Sequence, residues 1–169
     1  MFPLRLRFAL VPAMLAAVAT ALLAAPAAAT EARGATLLTV TSETGEVLAE
    51  LDLEALQEMP TQVYETTTIW TDGVQEFTGV PLADLIAEVA PDAQRISAKA
   101  INDYEIEMPR SGWEDGAPIV AYLNHGEEMS LRDKGPLWII YPFDTDPAFR
   151  QEVIYARSIW QLDRITAFE

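Results

Sequence analysis

The chain contains no cysteine and a single histidine among its 169 residues. The first absence excludes disulfides, thiolate nucleophiles, zinc–thiolate sites and iron–sulfur ligation together. The second leaves His125 alone in Asn124-His125-Gly126, where an exposed turn is expected. One imidazole builds neither a catalytic triad nor a histidine cluster, and Met129 beside it gives too few donors for a soft copper site. Other signatures of chemistry are missing as well. There is no Gly-x-Ser-x-Gly elbow, no phosphate-binding glycine loop and no dinucleotide fingerprint. Positive charge is scarce, with 11 Lys and Arg against 26 Asp and Glu. A chain this acidic repels phosphate backbones and anionic lipid, which argues against nucleic-acid binding and against membrane attachment by basic charge.

Hydrophobic length is concentrated at the start. Arg5 and Arg7 precede an apolar stretch from Phe8 to about Ala25, and Ala27-Ala28-Ala29 offers the small residues that a signal peptidase requires. Residues 1–29 are therefore expected to be a secretory signal, cleaved after Ala29. Leu6 separates the two arginines, so the general export route is expected rather than the twin-arginine one. The mature chain would be periplasmic or secreted, with no membrane span after cleavage. It comprises 30–169, a length suited to one domain. Loss of Arg5 and Arg7 leaves nine basic residues against 26 acidic ones, a net charge of −17.

Short β-prone runs dominate this mature part. Leu37 to Val40 and Val47 to Leu51 flank the turn-forming Ser42-Glu43-Thr44-Gly45, the pattern of a hairpin. Asp52 is placed to cap a short helix that directs Leu53, Leu56 and Met59 inward and stops at Pro60. Gln62 to Ile69 reads as a strand that turns at Trp70-Thr71-Asp72-Gly73. Pro81 then opens a helix in which Leu82, Leu85, Ile86 and Val89 form one apolar stripe, and Pro91 ends it. Further strands are expected over Arg95 to Ala100, Tyr104 to Met108 and Ile119 to Leu123. Leu137 to Tyr141 has the composition of a central buried strand, and Ile159 to Ile165 that of a final one. Phe143 to about Ala156 reads as an irregular loop. The class is α+β, mainly β.

Acidic pairs such as Glu127-Glu128, Asp144/Asp146 and Glu105/Glu107 are unavoidable in so acidic a chain and read as solvated. Asp144-Thr145-Asp146 lacks the spacing and glycine of a calcium loop. No residue is assigned a catalytic or metal-ligating role. The four tryptophans carry more information. Trp138 and Trp160 fall in apolar strands and are expected in the core, whereas Trp70 and Trp113 stand beside turns, from which an aromatic side chain either packs inward or lines a cleft.

The order of motifs adds a family likeness. TTTIWTDGVQEFTGVPLADLI, INDYEIEMP, PIVAYLNHGEEMSLRDKGPLWIIYP and IWQLDRI follow one another over about residues 45–166. The series resembles the molybdopterin-binding domain of the sulfite oxidase family. Gly79-Val80-Pro81-Leu82, Asn102-Asp103-Tyr104, Ala121 to Gly126 and Gly135-Pro136-Leu137 stand where that family has its turns. The resemblance implies a sulfite-oxidase-like fold of mixed short strands, a molybdopterin cofactor and oxidoreductase chemistry.

Four departures bear on that implication. The family's molybdenum-ligating cysteine would fall near Thr67 or Thr68, and this chain has none to supply. Trp138 stands where the family usually has Arg, His125 interrupts the Asn-Gly turn, and the twin-arginine signal is missing. Two readings result. In one, an active molybdopterin-dependent oxidoreductase works without cysteine, Thr67 or Thr68 facing the metal and Asn102, Arg132 and Lys134 binding the pterin phosphate. In the other, the same cleft serves a non-catalytic module without resident cofactor. Trp70, Asp72, Asp103 and Tyr104 would then recognise a small ligand or an envelope partner protein.

Overall fold

A computed structural model describes residues 34–169; the expected leader, 1–29, lies outside the described residues. The chain opens with strands β1 (Leu38–Ser42) and β2 (Val47–Leu51), an antiparallel hairpin around Gly45, whose φ is +85°. Asp52 then caps helix α1 (Leu53–Glu58), its Oδ1 accepting the Ala55 N–H at 2.9 Å. Strand β3 (Gln62–Thr67) returns antiparallel to β4 (Val74–Pro81), which runs directly into helix α2 (Leu82–Val89). The expected stripe is the buried one. Leu82 and Leu85 are inaccessible, Ile86 nearly so, Val89 is half-buried, and Asp84 faces outward.

Strands β5 (Arg95–Ala100) and β6 (Glu105–Pro109) form the next hairpin, followed by β7 (Ile119–Asn124) and the two-residue β8 (Glu127–Glu128). The β7–β8 turn places His125 and Gly126 at φ +50° and +78°, and His125 is exposed, as expected. Two positive φ values in a two-residue loop match the twist of the strands they join. Strand β9 (Trp138–Ile140), helix α3 (Glu152–Arg157) and β10 (Leu162–Phe168) complete the chain.

The strands form two five-stranded sheets, so the class is α+β and mainly β, with few short helices. One sheet has the order β2-β1-β10-β5-β6, in which only the β1–β10 pair is parallel. The other runs β3-β4-β7-β8, with β9 beside β7. The two meet where Trp138 bridges Trp160 and Ile139 donates its N–H to the Ile159 carbonyl at 2.9 Å. Helices α1 and α2 pack on β4, and α3 packs on β6.

Strand β4 lies between β3 and β7 although its sequence, VQEFTGVP, carries two residues that usually weaken strands. Gly79 has a local reason. A Cβ there would overlap the Val120 carbonyl, so glycine is what lets β4 approach β7. Gly135 is under the same constraint against the Met129 carbonyl. Among the described residues, no helix is long and apolar enough to cross a membrane.

Candidate functional site

The β3–β4 loop carries Trp70 to the junction of the two sheets. Thr68 fixes that loop: its Oγ1 accepts the Trp70 N–H at 3.0 Å and lies 2.7 Å from the Thr71 hydroxyl. Trp70 becomes the hub of an aromatic cluster. Its ring centroid lies 5.6 Å from Trp160, 5.7 Å from Tyr155, 5.8 Å from Trp138 and 6.2 Å from Phe143. The Trp160 and Tyr155 planes stand at 70° and 87° to it, the edge-to-face arrangement that ring quadrupoles favour.

Opposite Trp70 is the β5–β6 turn. Asn102 Oδ1 accepts the Tyr104 N–H at 3.1 Å, and Asp103 takes a left-handed φ of +65° that short polar residues tolerate. The Asp103 carboxylate turns back onto its own sheet, against Lys99 Nζ at 3.3 Å and Arg164 at 3.2 Å. Lys99 first and Arg164 second hold its pKa below the usual value. Tyr104 reaches across and donates its hydroxyl to the Ala156 carbonyl at 3.3 Å. The third wall is the end of α3 with Ser158 to Trp160 beyond it. Ser158 ties to the Ile154 carbonyl, and the Trp138 indole N–H donates to the Ser158 carbonyl at 3.1 Å.

These three segments enclose a cleft of about 320 Å³. That volume is at the lower end of small-molecule sites. Trp70, Tyr104, Tyr155 and Trp160 give four aromatic walls, Asn102 and Ser158 are the polar side chains, and no lining side chain is charged. Neither Trp70 nor Trp160 is fully buried.

Of the residues singled out in the sequence, Trp70, Asn102 and Tyr104 come together in this cleft. Asp103 shares the turn but is engaged with Lys99 and Arg164. Asp72 is exposed on the Trp70 loop, its carbonyl accepting from Gln75 Nε2 at 2.8 Å. Arg132 is exposed, and Lys134 lies with its Nζ 5.6 Å from the Trp138 ring centroid; neither lines the cleft. Trp113, also beside a turn, is buried and borders a separate, smaller recess of about 150 Å³. Trp160, expected in the core, is a partly exposed wall instead. Tyr155 was hidden in the segment read as an irregular loop, and its only sequence signal is the local density of aromatic residues.

Thr67 points elsewhere. Its N–H donates to Asp144 Oδ2 at 2.6 Å and its hydroxyl to Oδ1 at 2.8 Å. Asp144 also pairs with Arg150 at 2.9 Å and donates its own N–H to Thr66 Oγ1 at 3.2 Å. The two bonds from Thr67 are the main reason its pKa is held below 3.8, with Arg150 adding to them. These residues do not fit a molybdenum–pterin group. The Thr67 hydroxyl already serves a carboxylate whose charge opposes a second anion beside it, Thr68 is committed to its turn, and no cation lines the cleft to meet a phosphate. Among the described residues, no cluster of three or more His, Asp or Glu is arranged to hold a metal ion.

No model of a known protein family matches the chain, and no curated protein matches it.

Proposed function

We propose that this protein is an exported binding module whose aromatic cleft takes a small organic ligand, free or presented by an envelope partner. One observation carries the reading: Trp70, Tyr104, Tyr155 and Trp160 converge on a cleft of about 320 Å³ that no charged side chain lines. Such a site has the usual make-up of a ligand pocket, apolar walls with a few polar groups that set orientation. It contains no nucleophile beside a base and no acid–base pair, so binding rather than turnover is the function it supports. The sulfite oxidase likeness enters as a likeness of motif order. The donors around Thr67 and Thr68 favour neither the metal nor its redox chemistry. The leader-like pattern of residues 1–29 supports export, which would put the mature chain in the periplasm or outside the cell.

Native mass spectrometry of protein recovered from its own envelope tests the reading, alongside Ala156→Phe. Ala156 lines the cleft and is partly exposed, so a phenyl ring there fills the space while leaving the sheets intact. A non-covalent adduct on the wild type that vanishes in Ala156→Phe is expected. An adduct that persists in the variant, or one stoichiometric molybdenum per chain, would overturn it.

A further inference from the structure

The cleft's chemistry narrows its ligand, provided that the cleft is the binding site argued above. We infer that it recognises an organic cation of the quaternary ammonium type. A positive charge is attracted to the face of an aromatic ring, most strongly to tryptophan, and several rings set at steep angles surround such a charge from different sides. Trp70 meets Trp160 at 70° and Tyr155 at 87°, which forms two corners of that kind at the cleft wall.

Three further observations agree on the charge and on its softness. No lysine or arginine lines the cleft, so nothing within it repels a cation. The whole chain carries a net charge of −15, a field that concentrates cations near its surface. No carboxylate lines the cleft either, so a calcium or magnesium ion would find nothing to replace its hydration shell. A trimethylammonium head gives up little hydration and needs no acceptor, which suits walls of rings.

Calorimetric titration of the purified protein with choline, and with its neutral isostere 3,3-dimethylbutan-1-ol, separates charge from shape. Choline should bind about tenfold more tightly than the alcohol. Biosynthetic replacement of tryptophan by mono- and then difluorotryptophan weakens the ring quadrupole without changing the fold. It should weaken choline stepwise and leave the alcohol unchanged. Trp160→Ala should abolish the preference, and Tyr104→Leu, at an exposed ring, should reduce it. Phosphatidylcholine vesicles identify the source: co-sedimentation that choline competes away assigns a lipid headgroup, and its absence a free solute. Equal binding of choline and the alcohol overturns the cation while leaving a ligand cleft in place. Choline binding that survives Ala156→Phe puts the cation elsewhere and overturns both readings. Silence of choline against a folded wild type also overturns the inference.

Discussion

Two loops at the sheet junction differ in one respect that decides their use: one is closed by polar pairing, the other is walled by aromatic rings around open space. Around Thr67, every group finds a partner within the protein. The Thr67 N–H and hydroxyl serve Asp144, Asp144 serves Arg150, and Thr66 receives the Asp144 N–H. Three residues further along the same chain, Trp70 opens a space walled by rings that touch one another. A closed polar circuit stabilises a corner and offers a ligand nothing. An open aromatic corner gives up some burial and keeps its recognition capacity unspent.

The comparison is calibrated by a position outside both loops. Leu85 is inaccessible on the core face of α2, and Leu85→Ala should cost about 4 kcal/mol in urea-induced unfolding. Asp84→Ala, one residue away on the outer face, should stay within about 0.5 kcal/mol. Trp70→Ala should follow at about 3 kcal/mol, because four rings lose their common neighbour. Thr67→Ala should cost about 1 kcal/mol or less, since its bond to Asp144 is exposed to water. Should Thr67→Ala equal Trp70→Ala, the polar corner would be more than a local tie and the contrast would fail.

The smallest effect is one of acidity. Asp144 has a pKa lowered by its folded partners, so its stabilising contribution is complete above its ordinary value of 3.8 and is lost as pH falls through the folded value. The stability difference between the wild type and Asp144→Asn should be constant through neutral pH and close below about 3.8. Denaturant midpoints measured from pH 7 down to pH 2 check this. A gap that widens in acid would reverse the sign of the argument.

Local chemistry made much of the fold legible. The spacing of Leu82, Leu85, Ile86 and Val89 specifies a buried stripe, Asp52 before Leu53 specifies a cap, and Gly45 and His125-Gly126 specify hairpin turns. Strand β4 was not legible, because Gly79 and Pro81 are strand breakers in isolation. The glycine is required only once β7 lies alongside it. Helix α3 has no sequence signal, because its six residues include none that is fully buried and no periodic stripe marks it. Leu137 to Tyr141 reads as a central strand, yet only Trp138–Ile140 is paired as one, against β7. The final strand begins at Leu162 rather than Ile159, because Ile159 and Trp160 are taken up in joining the sheets.

The candidate site was legible in halves. Trp70, Asn102 and Tyr104 stand at turns, where aromatic and short polar residues are exposed by default. Trp160 and Tyr155 were not, because their role depends on a long-range crossing of the chain. An apolar neighbourhood in sequence gives the same signal whether a tryptophan is sealed in a core or left as a wall. Trp138 and Trp160 share that signal and divide between the two fates: Trp138 is buried and Trp160 is a partly exposed wall.

Fluorine NMR of protein labelled with 5-fluorotryptophan tests the central claim most directly, because the four tryptophans report separately from wall and core. On addition of choline, the resonances assigned to Trp70 and Trp160 should move in a saturable way, and that of the buried Trp113 should stay in place. Saturable movement of Trp113 with Trp70 and Trp160 unmoved would contradict the account.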